Sequence, residues 1–130
     1  MMMKQITING NNIHNIASFY AEINRVFMAE EQWQIGNSLD AFNDLLYGGF
    51  GAIKSDEKVQ LIWNNMDKSK EVLGYEITKA YYEEKLKAGS TFNREYFREK
   101  LTTLEDGRGE TYFDILMAII AEHPNIELVV

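Results

Sequence analysis

Three short segments of β-branched and other apolar residues are separated along this chain by stretches with helical periodicity. The segments are Gln5–Ile8, Val59–Trp63 and Ile126–Val130, and each has the length and composition of a β-strand. Strands joined by helical crossovers pair in parallel. The sequence therefore predicts an α/β fold, with a three-stranded parallel sheet and helices packed around it.

Between these strands, apolar residues recur at the three- and four-residue spacing of amphipathic helices. The helices predicted by this spacing are Ala17–Met28, Ser38–Tyr47, a short helix that follows Asn64 or Asn65 and ends near Gly74, and Tyr112–Glu122. Asn15 or Ser18 is expected to cap the first helix, and Asn64 or Asn65 the short one. Thr111 and Asp114 have the pattern of a capping box at the last.

A further helical region, residues 75–106, carries charges of mixed sign, which is typical of a solvated surface. Ala88-Gly89-Ser90 divides it into two pieces. Its apolar residues are Tyr81, Tyr82, Leu86, Phe92, Tyr96, Phe97 and Leu101. These side chains predict that the region forms helices docked on the scaffold, and that it covers the core rather than widening a contact with a partner.

The 130 residues are expected to form one domain over residues 1–130, because 45% of them are hydrophobic and can build a core. The chain has no cysteine, which excludes disulfides, thiolate metal ligands and a cysteine nucleophile. The first residues lack the apolar core of a signal peptide, and the longest apolar run, Ile115–Ala121, is too short to span a bilayer. We therefore expect a cytoplasmic protein that does not enter a membrane.

The formal net charge is −7, which disfavours nucleic acids and anionic membranes as partners, since both need basic patches. A basic protein partner is compatible with it. The distribution of charge is uneven, because the 28 residues between Arg25 and Lys54 contain neither lysine nor arginine. This acidic segment is the part of the chain best suited to a cationic partner.

Asp40 and Asp44 lie four residues apart in the middle of this segment, so they share one face of the predicted helix. The opposite face is apolar and is expected to be buried; it carries Leu39, Phe42, Leu45 and Leu46. Two carboxylates at this spacing repel each other, so helix stability does not explain them. Asp40 also favours the helix dipole from the first turn, whereas Asp44 lies too deep in the helix for that effect. The pair is either a solvated helix face or an anion presented to a cationic partner.

Several other side chains are candidates for a site. Trp33 and Tyr47 flank the helix and can anchor a partner, although core packing is an equally open interpretation of Trp33 and the expected one for Tyr47. Trp63, within a strand, is predicted to be core. His14 and His123 stand alone in the sequence, so no metal site is predicted, and no motif indicates a cofactor.

The stretch Gly36-x-x-Leu39-Asp40-Ala41-x-x-Asp44 resembles the central motif of the barstar family, the intracellular protein inhibitors of the bacterial ribonuclease barnase. Weaker similarity extends to Ile8-Asn9-Gly10, to Val59–Trp63, to Lys68-Ser69-Lys70, and to the last helix and strand. The resemblance implies a barstar-like α/β fold in which residues 75–106 are an insertion. It also implies a protein that blocks the active site of a ribonuclease and is not an enzyme.

The resemblance further implies which residues contact the ribonuclease. Asp44 would be the central anion and Asp40 its neighbour, each imitating a substrate phosphate. The other contacts would come from Trp33, Gln34, Gly36, Asn37, Ser38, Asn43, Tyr47 and Glu122. The implied partner is a basic bacterial ribonuclease or ribonuclease toxin, bound by an inhibitor that is a monomer when free. The chain length is compatible with an immunity protein for such a toxin.

Some positions depart from the family pattern. Asn43 stands where the family has an aromatic residue before the second aspartate, and Gln34 and Ile35 stand where tyrosines precede the glycine. An acidic contact of the family's last helix falls on Ala118, with Glu122 one turn further on. These departures bear on which nuclease is recognised more than on the inhibitory class.

Two other functions are compatible with the residues. One is a small enzyme that uses Asp40, Asp44 and Glu30 or Glu31 on a small substrate or metal, which needs these groups in a concave pocket. The other is a protein-interaction module without inhibitory activity. An inhibitor needs the two aspartates on a convex surface, so their placement separates it from an enzyme.

Overall fold

The computed structural model describes residues 3–54, 57–87 and 93–130. Three strands, β1 (Lys4–Asn9), β2 (Val59–Asn64) and β3 (Ile126–Val129), form a parallel sheet in the order β1-β2-β3. In register, Leu61 lies between Ile6 and Leu128. The predicted three-stranded parallel sheet is confirmed, with every strand end within one residue of its expected position.

The described residues also form a short 3-10 turn at Gly10–Asn12 and six α-helices. These are α1 (Ile16–Phe27), α2 (Leu39–Tyr47), α3 (Met66–Val72), α4 (Tyr75–Lys87), α5 (Arg94–Glu105) and α6 (Tyr112–Ala121). Helices α4 and α5 confirm the helical region predicted over residues 75–106, while the predicted break at Ala88-Gly89-Ser90 and the side chain of Phe92 lie outside the described residues. In the described ranges, no helix has both the length and the apolar character needed to cross a membrane.

One face of the sheet is buried and the other is polar. On the inner face, Ile8, Leu61 and Trp63 are each at most 1% exposed. On the outer face, the Gln5 amide donates to the Gln60 side-chain oxygen at 2.9 Å across β1 and β2. Parallel crossovers are almost always right-handed, and both crossovers here step in the same direction across the sheet. They therefore place their helices on one face, which refines the prediction of surrounding helices to a two-layer arrangement.

The helix starts mostly follow their local signals. The Asn15 side chain accepts a hydrogen bond from the Ser18 N–H at 2.7 Å, and the Ser18 hydroxyl accepts one from the Asn15 N–H at 2.9 Å, so both predicted candidates form a reciprocal capping box. Thr111 and Asp114 form another at α6. The prediction that Asn65 caps α3 is wrong. Its backbone is left-handed, with φ of 50°, whereas a capping residue needs an extended backbone, and its side chain makes no cap bond.

A connected set of aromatic rings joins the two layers. Phe19 on α1 packs edge-on against Phe42 on α2, with ring centroids 5.5 Å apart, and stacks on Trp63 of β2 at 6.0 Å. Trp63 also meets Phe113 of α6 at 6.0 Å, and its indole N–H donates to the buried Ser69 hydroxyl at 3.0 Å. Each such ring pair contributes about 0.5–1.5 kcal/mol beyond burial. Trp63 is core as predicted, and Phe19 joins α2 to the sheet.

Helices α4 and α5 pack on each other and reach the scaffold through α4. The Thr78 hydroxyl on α4 accepts a hydrogen bond from the Tyr112 N–H at 2.7 Å, and the rings of Tyr81 and Tyr112 lie 5.2 Å apart. Tyr82 and Leu104 are buried, at 4% and 3% exposed. The prediction that this region docks on the scaffold is confirmed, and its lack of contact with a partner stays a prediction.

A buried carboxylate ties α1 to the turn that follows β1. Glu22 is 2% exposed. It accepts hydrogen bonds from the Asn9 N–H at 2.8 Å, from the Asn12 amide at 2.9 Å, and from the Arg25 guanidinium at 2.7 and 2.6 Å. Burial by itself raises the pKa of Glu22, but these bonds and the Arg25 charge outweigh it, so the pKa lies below its ordinary value. A carboxylate of this kind stabilises the fold above its ordinary pKa and loses that contribution as the pH falls through the lower, folded-state pKa.

We predict that Glu22→Gln lowers the free energy of unfolding at pH 7 by roughly 1–3 kcal/mol, because the new amide brings a donor into a site built of donors. The difference from wild type should shrink as the pH falls below the ordinary glutamate pKa of about 4.3, because the unfolded wild-type chain then takes up a proton at Glu22 before the folded chain does. Urea unfolding between pH 7 and pH 3 measures this.

The matched control is Glu95→Gln, which removes the exposed partner of Arg98 at 3.4 Å. It should change the unfolding free energy by about 0.5 kcal/mol or less. Equal losses in the two variants, or a Glu22 effect that does not depend on pH, would contradict the role given to Glu22.

Candidate functional site

Helix α2 starts at a serine cap and packs on the core along one face. The Ser38 hydroxyl accepts a hydrogen bond from the third backbone N–H of the helix at 3.1 Å, and Gly48 ends the helix with a φ of 89° that favours glycine. The buried face carries Phe42, Leu45 and Leu46, each 0% exposed, while Leu39 is half-buried. The predicted apolar face is therefore present, with Leu39 at its edge.

Asp40 and Asp44 are exposed on the opposite face of α2, as their spacing predicted. Within the described part of the chain, neither carboxylate lies within ion-pair distance of a lysine, arginine or histidine. Repulsion between the two costs the helix only a few tenths of a kcal/mol. The outer face of α2 is therefore an anionic surface, and no described residue supplies a counter-charge for it.

One buried amide anchors the loop before α2. Asn24 on α1 is 7% exposed. Its side-chain oxygen accepts a hydrogen bond from the Ile35 N–H at 2.9 Å, and its NH₂ donates to the carbonyls of Ile35 and Tyr20 at 3.3 and 3.1 Å. Both backbone groups of Ile35 are therefore satisfied by a side chain, which fixes this loop without a strand or helix. Sequence reasoning missed Asn24, because nothing in a helical asparagine indicates a partner eleven residues away.

The predicted contact residues of this loop lie at the surface. Gln34, Gly36, Asn37 and Ser38 are all exposed. Gly36 does not have a positive φ, and a Cβ built on it would meet no described atom within 4 Å. The fold therefore does not require glycine at this position, in contrast to Gly51, which has a φ of 70° and where a Cβ would approach a backbone carbonyl to 2.9 Å.

Two aromatic residues frame the acidic face. Trp33 is 51% exposed and rests with one side on Phe50, the ring centroids lying 5.2 Å apart. Tyr47 is 65% exposed, so the expectation that it packs on the core is wrong. It lies three residues after Asp44 and therefore on the same helical face. The Tyr47 ring is exposed to solvent because Leu45 and Leu46 already fill the inner face.

Asn43 is half-buried and bonds to a residue that sequence reasoning did not connect with α2. Its side-chain oxygen lies 2.7 Å from Nε2 of His123, 80 residues further along the chain. His123 is 3% exposed, and its ring meets the Tyr47 ring edge-on at 4.5 Å. Burial lowers the pKa of His123, and the charge of Glu122 opposes that shift. No local pattern pairs Asn43 with His123, since only the fold brings them together.

Helix α6 and helix α4 lie on either side of this region. Glu122 and Ala118 are both exposed on α6, and α6 packs against α2. On α4, burial raises the pKa of Tyr81, and the nearby Tyr96 and Asp40 raise it further. Helices α4 and α5 therefore lie close to the Asp40 end of the acidic face.

The carboxylates considered for an enzyme do not share a cavity. Glu30 lines one cavity of about 330 Å³ with Lys4 and Arg25, and Glu31 lines another of about 390 Å³ beside Trp33. Asp40 and Asp44 line neither. For the residues that the structure covers, no three His, Cys, Asp or Glu side chains are placed to hold a metal ion together.

Fold and surface together define a class of protein: a small α/β scaffold that presents an acidic helix, with a fixed loop before it, to solvent. The sequence profile of the family described as Barstar (barnase inhibitor) matches residues 3–110. The match covers most of the chain, so the chain belongs to the barstar family, an inhibitor family rather than an enzyme family. Neither the curated proteins nor the solved structures gave a significant match. The matched residues include α2, α4 and α5 and end before α6 and β3.

We predict that Asn24→Ala releases the loop before α2. The buried Ile35 N–H loses its acceptor, so the free energy of unfolding should fall by roughly 1–3 kcal/mol. The amide of Ile35 should exchange with solvent much faster, while amides in the middle of α1 stay protected. Hydrogen exchange followed by NMR measures both.

Asn125→Ala is the matched control, because the Asn125 amide also bonds to a backbone carbonyl, that of Glu57 at 3.2 Å, away from this loop. Exchange at Ile35 should not change in this variant. Protection of Ile35 that survives Asn24→Ala would show that another contact fixes the loop.

Proposed function

We propose that this chain is a stoichiometric protein inhibitor of a barnase-type bacterial ribonuclease, and that α2 and the loop before it enter the active site of that enzyme. Asp44 is the central contact and Asp40 its neighbour, both in place of substrate phosphates. The observation that carries the proposal is this exposed pair of carboxylates, which no described cation neutralises. The surrounding contacts are Trp33, Gln34, Gly36, Asn37, Ser38, Asn43, Tyr47 and Glu122.

The chemistry of the partner supports these roles. A ribonuclease binds phosphodiesters, so its active site is built from arginine, lysine and histidine. A carboxylate can occupy a phosphate position and accept charge-assisted hydrogen bonds from the same side chains. The acidic surface also accelerates encounter with a basic enzyme.

The rigidity of the site supports tight binding. Ser38 caps the helix, the Phe42 face holds it to the core, and Asn24 fixes the loop. Because these groups are ordered before the partner arrives, little conformational entropy is lost on association. Gly36 adds a position where a nuclease can approach the backbone closely, since the fold itself leaves that space open.

The surface placement of the carboxylates favours inhibition over catalysis. An enzyme needs its acids in a cavity that excludes water. Asp40 and Asp44 instead stand on the outer face of a helix, and Glu30 and Glu31 line separate cavities. The acidic face of α2 is suited to insertion into the cleft of another protein.

The biological role follows from the target. An inhibitor of this kind acts in the cytoplasm, as a monomer that binds one nuclease, and protects the RNA of the cell that makes it. A ribonuclease toxin delivered between bacteria is the partner that an immunity protein of this family would neutralise. No cofactor or nucleic acid takes part in the proposed function.

We predict that the purified chain abolishes RNA cleavage by barnase at a one-to-one ratio. Asp44→Asn should weaken binding by about 2–5 kcal/mol, because it leaves cationic side chains of the nuclease desolvated and unpaired. It should change the unfolding free energy by about 0.5 kcal/mol or less, since the side chain is exposed. Asp40→Asn should weaken binding less and lower stability more, because Asp40 also favours the dipole of the first turn.

Asp67→Asn is the matched control, since it removes one exposed charge from the first turn of α3, away from the acidic face. Its affinity should equal that of wild type. Titrations of nuclease activity and thermal melting on the same preparations give both quantities. Unchanged affinity in the Asp44 variant, at unchanged stability, would reject phosphate imitation.

The association rate should depend on salt. We expect the rate constant for binding barnase to fall steeply as ionic strength rises, because screening shortens the range of the charge on α2. The double variant Asp40→Asn/Asp44→Asn should show a shallower dependence, measured by stopped-flow fluorescence. A rate constant that is insensitive to salt would show that charge does not steer the encounter.

A further inference from the structure

His123 contacts α2 at two points one helical turn apart. Its Nε2 lies 2.7 Å from the Asn43 side-chain oxygen, and its ring meets the Tyr47 ring at 4.5 Å. The backbone of His123 is itself fixed on both sides: its N–H donates to the Ile120 carbonyl, and its carbonyl accepts from the Ile126 N–H, at 3.1 and 3.0 Å. A rigid imidazole between α6 and β3 therefore holds the outer edge of α2.

The two contacted residues enclose Asp44 in the sequence of the helix. Asn43 directly precedes Asp44, and Tyr47 follows it by three residues, on the same outer face. The apolar contacts of Phe42, Leu45 and Leu46 hold the inner face, but apolar packing is non-directional and tolerates small rotations of a helix. A hydrogen bond to a side chain on the edge sets the rotation about the helix axis more narrowly.

We infer that His123 is a positioning residue for the inhibitory face: through Asn43 and Tyr47 it fixes the orientation in which α2 presents Asp44. The expected effect on binding rests on the proposed function. The contacts of His123 with Asn43 and Tyr47, which we call the clamp, are a property of the free protein. The clamp also gives Asn43 a role inside this chain, in addition to the proposed contact with the nuclease.

The surroundings of His123 make the clamp sensitive to acid. The charged and titratable groups that line the cavity beside it are Tyr47 on α2, Lys58 before β2, and Glu122 at the end of α6. Because burial lowers the pKa of His123, the clamped arrangement binds fewer protons than an open one. Acid therefore favours release of the clamp.

Three variants separate the contributions of the ring and the hydrogen bond. His123→Phe keeps an aromatic ring against Tyr47 and removes the donor to Asn43. His123→Gln keeps a donor amide and removes the ring and the titration. Asn43→Ala removes the acceptor. Tyr20→Phe is the control for general loss of stability, since it deletes a buried hydrogen bond to Tyr112, 2.6 Å long, away from α2.

The first measurement uses the free protein and needs no partner. Hydrogen exchange at the amides of residues 43–47 should become about tenfold faster in His123→Phe and in Asn43→Ala, relative to the amide of Leu61, if the bond couples the two elements by an energy typical of contacting side chains. Tyr20→Phe should leave that ratio unchanged. If the exchange ratio is the same in His123→Phe, Asn43→Ala and Tyr20→Phe, the clamp is rejected. This result does not depend on what the chain binds.

The second measurement is the dissociation rate of the complex with barnase. His123→Phe and Asn43→Ala should each raise it about tenfold, and the double variant should raise it no further, because both remove one interaction. His123→Gln should restore part of the loss. A hundredfold increase in the double variant would mean independent effects and would overturn the inference, as would a tenfold increase in Tyr20→Phe.

The third measurement compares wild type and His123→Gln between pH 7.5 and pH 5. The affinity of wild type relative to His123→Gln should decline towards acid, and taking the ratio cancels the titration of the nuclease. A ratio that does not change with pH would show that protonation of His123 is not linked to the face. If wild type fails to bind barnase, barnase is rejected as the target, while the exchange measurement still decides on the clamp.

Discussion

Phe19 on α1 touches both Phe42 on α2 and Trp63 on β2, so the helix that carries the acidic face is joined to the central strand through one ring. Trp63 is in turn oriented by the Ser69 hydroxyl, to which its indole N–H donates. This column of rings, from Phe42 through Phe19 to Trp63, attaches α2 to the sheet by way of α1, and the bond between Asn43 and His123 attaches the outer edge of the helix. The column contributes by burial and by ring geometry together, and it holds the acidic face of α2 at a fixed distance from the core.

Helix α2 has an apolar inner face that is buried and an acidic outer face that is exposed. Leu45 and Leu46 on the inner face are fully buried, whereas Asp40 and Asp44 on the outer face repel each other in solvent. The repulsion is a few tenths of a kcal/mol, and it is outweighed by the burial of one leucine side chain, which contributes about 1.5–3 kcal/mol. The scaffold can therefore hold two carboxylates without a described counter-charge at little loss of stability.

Much of the fold and part of the site follow from local patterns. Short segments of β-branched and apolar residues located β1, β2 and β3, and the i, i+4 spacing placed Asp40 and Asp44 on an exposed face, because helices repeat with fixed geometry. Local patterns gave wrong predictions where the packing of other residues or the backbone conformation decides the outcome. Tyr47 was expected to pack, but Leu45 and Leu46 occupy the inner face, and its ring stays 65% exposed. Asn65 was expected as a candidate helix cap, yet its backbone is left-handed and its side chain makes no cap bond.

The sequence by itself determined the elements, their parallel order and the acidic character of α2, since these depend on residues near one another in the chain. Family membership followed from the same local motif and is confirmed by the match over residues 3–110. The tertiary structure alone decided how that motif is held. Asn24 fixes Ile35, and His123 reaches Asn43 across 80 residues. A hydrogen bond between such distant residues leaves no periodic trace, because its partners are brought together by the packing of whole elements and not by the geometry of either one.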